Sequence, residues 1–348
     1  MMNNTLLYGL ALSGSLILAG CGDKPQTTES SADEVITLRM SHFMAQTDPF
    51  NKQVFEPWAK KIEEDSNGRL KIDIYPSASL SKPDNTYDAV VKGVVDIGVQ
   101  PQGYSSGRFP LSQIAELPGI ANTAEQLACV LHTLYDNGSI SGEYEDTHVL
   151  YMMASGLQVF HTKGKAINKP SDLKGMRIRR TSTVSASLLE SLGAVPVGLP
   201  VTETYPSLQR GVIDGVTLPW QPIQAFGLDE LVDTHSIVPF YNAEFVVNMN
   251  QEKYNSLPDD LKQVIDSNSG MQMGVKASQA FDRFNQEVMQ AAIDKGDTII
   301  DIDPANDPDW QQPLEDGKQA YLSSLEEQGL DAQAIYAKAQ QASTSCQS

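Results

Sequence analysis

The chain has 348 residues, 41% of them hydrophobic, which suits two domains with a sizeable core in each. Its formal net charge is −19 at pH 7. That excess of acid argues against nucleic acid as a partner, because such affinity comes largely from neutralising phosphates.

In chain order, the first feature is a charge-free run of apolar and small residues from Leu6 to Gly20. It is short for a membrane span and reads as the hydrophobic stretch of a secretory signal covering residues 1–20. It ends in Leu18-Ala19-Gly20-Cys21, which looks like a bacterial lipobox. That resemblance implies cleavage before Cys21 and a lipid on its thiol, although the usual Lys or Arg ahead of the apolar run is missing. Residues 21–34 are polar and rich in Ser and Thr. They read as a flexible tether reaching roughly 20 Å, with the folded body starting near Val35.

Thr37 to Ser41 is a strand ending at His42-Phe43. Asp48-Pro49 opens a helix with Phe50, Val54, Trp58 and Ile62 on one face, stopped at Asn67-Gly68. Leu70, Ile72 and Ile74 alternate with polar residues in a half-covered strand, and a helix from Asp84 to Gly93 follows. Val94 to Val99 reads as a buried strand. Gln100 to Gly107 is a loop rich in Pro, Gly and Ser. The capping box Thr123-x-x-Gln126 starts a helix whose apolar face holds Leu127, Val130, Leu131 and Leu134. Cys129 lies in that helix and reads as a small packed thiol. A disulfide with Cys346 is compatible with an oxidising compartment, but sequence cannot bring the two sulfurs within bonding distance.

His148 to Met153 and Gln158 to His161 are strands, the second near the crossing into another lobe, and Phe245 to Met249 is the return strand. A helix from Ser256-x-x-Asp259 runs to Lys295, interrupted at most by Asn268-Ser269-Gly270, and is long enough to span both lobes. Trp310 to Ala342 adds two outer helical stretches.

The segment Leu173 to Phe226 is the most informative. It reads as strand (176–179), helix ending at Leu192-Gly193, strand (195–197), helix (202–210) closed by Gly211, strand (212–214) and then Pro219-Trp220. This is one lobe of an open, doubly wound sheet, in which ligands bind beyond the carboxyl ends of strands. Arg179 stands at such an end, just before a helix N-terminus, and both features attract an anion. The surrounding Lys163, Lys165, Lys169, Lys174, Arg177 and Arg180 face one acid, Asp172. The lysines read as a solvated face. For Arg179, position alone leaves a structural ion pair and a ligand contact both open. Lys92-Gly93-Val94-Val95-Asp96 is echoed by Arg210-Gly211-Val212-Ile213-Asp214, which suggests two similarly built lobes.

Catalytic signals are weak. Gly103-Tyr104-Ser105-Ser106-Gly107 matches a nucleophile elbow, but Pro101 and Pro110 deny it the strand and helix that an elbow needs. His42, His132, His148, His161 and His235 are scattered without metal-ligand spacing. Asp301, Asp303, Asp307 and Asp309 lack the Gly and Glu of a calcium loop. With no phosphate-binding or dinucleotide motif present either, neither a cofactor nor a metal is expected.

Asp172-Leu173-Lys174-Gly175-Met176-Arg177-Ile178-Arg179, Leu192-Gly193-Ala194-x-Pro196-Val197 and Glu203-x-Tyr205-x-x-Leu208-Gln209-x-Gly211-Val212-Ile213-Asp214-Gly215 together resemble the solute-binding subunit of tripartite ATP-independent periplasmic (TRAP) transporters, the DctP-type family. The resemblance covers nearly all of the mature chain. It implies an α/β, two-lobed periplasmic binding protein type II-like fold with a long helix spanning both lobes. Lobe I would comprise residues 35–157 and 246–285. Lobe II would comprise residues 158–245 and 286–348, including the C-terminal helices.

The resemblance also implies a non-catalytic, periplasmic receptor in a Gram-negative bacterium that passes a small organic acid to membrane permease subunits; with the lipobox reading, it would be held by a lipid at Cys21. The family's signature arginine, which pairs with the substrate carboxylate, falls on Arg179. Trp220, Phe160, Tyr241 and Phe43 are then expected to line the apolar part of the site, with His42, Gln100, Gln158 and Asn242 as polar contacts. Leu218 stands where many relatives carry Asn, and the strand after Gly156 lacks the second arginine of sialic-acid receptors. Both departures point to a monocarboxylate with an apolar or aromatic body. A sensory receptor and a serine hydrolase using Ser105 are the rival readings on the same scaffold.

Overall fold

A computed structural model describes residues 35–304 and 306–347. The signal and tether expected over residues 1–34, with Cys21, lie outside the described residues. The strands are β1 (Ile36–Ser41), β2 (Leu70–Tyr75), β3 (Ile97–Pro101), β4 (Thr147–Leu157), β5 (Val159–Thr162), β6 (Arg177–Arg180), β7 (Val195–Gly198), β8 (Gly215–Leu218), β9 (Thr234–Ile237), β10 (Asn242–Asn250) and β11 (Thr298–Asp301). They form two mixed sheets, ordered β2-β1-β3-β10-β4 and β11-β9-β5-β8-β6-β7. The chain crosses between them at Gln158, the single residue between β4 and β5, and returns after β9 into β10.

The helices are α1 (Glu56–Asp65), α2 (Thr86–Val91), α3 (Ala124–Asp136), α4 (Thr183–Ser191), α5 (Thr204–Gln209), α6 (Trp220–Ala225), α7 (Gln251–Ser256), α8 (Asp259–Ser267), α9 (Gly270–Lys295), α10 (Pro308–Glu326) and α11 (Ala332–Ser345). The long helix predicted to Lys295 is present as α8 and α9, broken at Asn268, whose carbonyl accepts a hydrogen bond from Trp58 Nε1 at 2.7 Å. α9 packs on α3 and β4 of the first sheet, and on α6, the helix that follows β8 of the second sheet. Its close approach to β4 needs Gly274, where a Cβ would lie 2.1 Å from Met152 O. The edge of β4 is covered from that side: Met152 N donates to His132 Nε2 at 3.0 Å and Ala154 N to Ser278 Oγ at 3.0 Å.

The sequence echo is a repeated structural clasp. Gly93 and Gly211 both end a helix at φ +67°, a region that favours glycine. Asp96 Oδ2 then accepts from Arg39 N at 2.8 Å and Nε at 3.1 Å. Asp214 Oδ2 accepts from Arg177 N at 2.9 Å and Nε at 3.0 Å. The clasp delays the strands relative to prediction. Val94 and Val212 sit exposed in the turn, and the ladders begin only at Ile97 and Gly215.

Two further differences concern the C-terminal region. α10 packs on α4, but α11 packs on α3, so the end of the chain is shared between the two sheets' layers and not confined to the second. Cys129 and Cys346 are bonded, pinning α11 to α3 across a separation of 217 residues. The thiol read as merely packed is therefore half of a disulfide. Closing so long a loop removes denatured-state entropy worth about 5 kcal/mol on the chain-entropy model.

Candidate functional site

The carboxyl ends of β3 and β8 carry Pro101 and Pro219, each five residues past its clasp aspartate, and both line one cleft between the sheets. The space between its walls, counted out to open solvent, is about 420 Å³. Its walls are mainly apolar. Phe43 stacks with Phe226 and Phe245 at centroid distances of 6.3 and 6.4 Å, and Leu218, Pro222 and Phe281 complete the surface.

Arg179 is the one charged side chain in this lining, and it is fully buried. Strand β6 carries it to the cleft, and α4, capped by Ser182, begins four residues later. Its Nε donates to Leu199 O at 3.0 Å, Nη1 to Thr181 Oγ1 at 2.9 Å and to Thr217 O at 3.4 Å, and Nη2 to Tyr104 Oη at 2.7 Å. Every one of these acceptors is neutral, and among the described residues no Asp or Glu pairs with it. A guanidinium has five N–H donors, so one N–H on Nη2 has no protein acceptor. Burying an uncompensated charge costs several kcal/mol, which makes the cleft a site that an anion would stabilise.

Tyr104 completes this corner. Its oxygen accepts from Arg179 Nη2 and, at 2.9 Å, from Val201 N. With both lone pairs occupied, the hydroxyl can only donate. One N–H and one O–H thus converge without a protein acceptor, a pairing that matches the two oxygens of a carboxylate.

Behind this corner lies a buried acidic pair. Glu116 accepts from Ser182 Oγ and from Glu244 N, and burial pushes its carboxyl up to about 8. Glu244 is pushed well above the usual carboxylate range by burial first, and then by Glu116 and Glu143.

Of the sequence-predicted contacts, Arg179, Phe43 and Gln158 line the cleft. The other six lie behind its walls. Pro219 turns the chain into α6, so Trp220 as the first helical residue packs its ring on His161 at 5.1 Å and His235 at 4.7 Å. Phe160 stacks on Phe240 at 4.8 Å in the core. Tyr241 spends its hydroxyl on Thr217 Oγ1 at 2.7 Å, and Asn242 its amide on Ala121 O at 2.7 Å. His42 bonds Asn51 Oδ1 at 2.9 Å in the π-helical turn Asn51–Phe55, and burial lowers its pKa to about 4, which keeps it neutral. Gln100 is fully buried within β3 and outside the lining.

Sequence reasoning noted Tyr104 as an aromatic in a loop but did not place it among the ligand contacts. The segment is a short helical turn, Gln102–Tyr104, and no histidine hydrogen-bonds Ser105 among the described residues. Gln221 was also missed. Its Nε2 donates to Asp48 Oδ2 at 3.1 Å, joining the segment before α1 to α6 across the cleft. A pair 173 residues apart leaves no local signal.

Residues 40–328 match the family described as bacterial extracellular solute-binding protein, family 7. The chain is similar to a solved TRAP solute-binding protein from a marine metagenome, with 32% identity and a TM-score of 0.85 over 90% of this chain and 100% of that one. That protein is specific for aromatic acid ligands and was solved with metahydroxyphenylacetate. A TRAP solute-binding protein from Rhodoferax ferrireducens T118, solved with copurified benzoate, is 31% identical with a TM-score of 0.86, over 90% of this chain and 98% of that one. The outer membrane transporter protein TsaT of Comamonas testosteroni is 28% identical over 305 residues, 85% of this chain and 88% of that protein.

Proposed function

The chain belongs to family 7 of the bacterial extracellular solute-binding proteins, and from that premise we propose that it captures an aromatic monocarboxylate at Arg179 and delivers it to the membrane permease of a TRAP transporter. One observation carries the ligand class: a buried arginine with only neutral partners among the described residues faces a mainly apolar cleft. The carboxylate takes the remaining N–H of Arg179 Nη2 and the O–H of Tyr104. The ring lies among Phe43, Phe226, Phe245 and Leu218. A second carboxylate would meet no cation in this lining and would lose its hydration uncompensated, so a monoanion is favoured over a dianion.

Capture couples to closure because Tyr104 and Arg179 come from opposite sides of the crossing at Gln158. An acid that bridges them favours the closed arrangement by its differential affinity. The segment Leu18-Ala19-Gly20-Cys21 supports a lipid anchor at Cys21, and the family supports a periplasmic receptor that releases its acid chemically unchanged.

Calorimetric titration with benzoate tests the reading. Arg179→Ala is expected to cost about 2–5 kcal/mol of binding, as for other truncated charge pairs. Unchanged affinity in that variant would refute the clamp.

A further inference from the structure

Gln158 lines the cleft and is 1% exposed. Its Nε2 donates to Gly156 O at 3.2 Å and to Ser155 Oγ at 3.3 Å. A backbone carbonyl can only accept, so the amide orientation is set by Gly156. Its Oε1 is left buried, with no hydrogen-bond donor among the described residues. An acceptor stranded in this way is unfavourable until a donor reaches it.

The position of this acceptor relative to Arg179 is informative. Gln158 adjoins the start of β5, and Arg179 lies on β6, with β8 between them. Two strand spacings separate them laterally by about 10 Å. Because Arg179 pairs with Val216 while Val159, next to Gln158, pairs with Leu218, they are also offset along the strands. Both line the cleft, at separate points of it. At the Arg179 end the unspent groups are donors, on Arg179 and Tyr104. At the Gln158 end the unspent group is an acceptor.

We propose that the ligand is a hydroxylated aromatic monocarboxylate, whose ring hydroxyl donates to Gln158 Oε1 while its carboxylate is held by Arg179 and Tyr104. The proposal rests on the receptor reading above and extends it from acid to substitution pattern. A hydroxyl is a small neutral donor and satisfies Oε1. A methoxy group or a halogen has no proton to give. A second carboxylate would set acceptor against acceptor. An ammonium would bring a charge that finds no carboxylate in the lining.

The test is calorimetric titration of the protein with benzoate, 3-hydroxybenzoate, 4-hydroxybenzoate, the matching methoxybenzoates and isophthalate. One hydroxybenzoate is expected to bind roughly tenfold tighter than benzoate, with the gain lost in its methoxy counterpart. In Gln158→Leu, checked for folding by thermal melting, the ratio of hydroxybenzoate to benzoate affinity should fall close to one. The ligand series on the unaltered protein decides the matter by itself if that variant does not fold. Benzoate binding as tightly as both hydroxybenzoates, or a ratio that persists in folded Gln158→Leu, would overturn the proposal and leave the receptor reading intact. Binding of none of these acids would remove both.

Discussion

Arg177 and Arg179 leave the same strand two residues apart, on the same face by strand alternation, and the fold treats them in opposite ways. Arg177 is exposed and held by Asp214 at 2.6 Å, while Arg179 is fully buried with neutral partners alone. The other sheet sharpens the contrast. Arg39 makes the same clasp with Asp96, but two residues further on stands Ser41, bonded to Ser81 Oγ at 2.9 Å. The clasp is thus scaffold, built twice. The residue two places beyond it is where the halves diverge, and only the second half places a cation there. A charged pair at a surface is self-sufficient, whereas a buried charge without a counterion marks a place where an outside anion gains most.

The largest expected effect breaks this contrast directly. Arg179→Met should weaken acid binding by about 2–5 kcal/mol while leaving the melting temperature equal or higher, because an apolar group of similar length relieves an uncompensated buried charge. A melting temperature that falls by many degrees would instead make Arg179 a structural residue. Tyr104→Phe comes next. It removes one donor to the carboxylate and one acceptor for Arg179, and should weaken every carboxylate by about 2 kcal/mol; equal affinity in both proteins would detach Tyr104 from the site.

The third test reads the acidic pair behind the corner. The folded protein keeps a proton on Glu116 up to about 8, whereas the unfolded chain gives it up near the ordinary carboxylate value. Protonation therefore favours the folded state. The contribution is complete below the unfolded pKa and is lost as pH rises through about 8. Between pH 7 and 8.5, above the histidine range, stability should fall by about 1 kcal/mol per pH unit, and Glu116→Gln should flatten the slope. An unchanged slope in that variant would assign the dependence elsewhere, to Glu244 or Glu143. The smallest effect is expected for Arg177→Ala, which removes an exposed, solvent-screened pair and should leave both the melting temperature and ligand affinity nearly unaltered. Lost binding there would blur the division between scaffold and site.

Much of this was legible locally. Helix caps at Thr123 and Ser182, helix-ending glycines and alternating strands are short-range features, and they placed most elements to within a few residues. The echo around Asp96 and Asp214 was legible as a repeat, but its effect was not, because the aspartates act on arginines 57 and 37 residues away. Arg179 could be picked out because its strand, its charge and the following helix lie together in the chain. The apolar and polar contacts around it were less accessible. Trp220 and Phe160 are aromatics near the right strand ends, and a turn of the backbone at Pro219 or a stacking partner at Phe240 directs each ring away from the cleft.

By itself the sequence determined the α/β class, the doubly wound segment, the long helix and the arginine at a strand's carboxyl end. These follow from patterns repeating every two or every 3.6 residues, and from charges close in the chain. Tertiary structure alone decided that, among the described residues, Arg179 has no counterion and Gln158 keeps an unpaired oxygen, that Tyr104 turns its hydroxyl into a donor, and that Cys129 meets Cys346. The physical reason is the same in each case. Hydrogen-bond satisfaction and proximity are counted over all neighbours in space, and here the deciding ones include Tyr104, 75 residues from Arg179, and Cys346, 217 residues from Cys129.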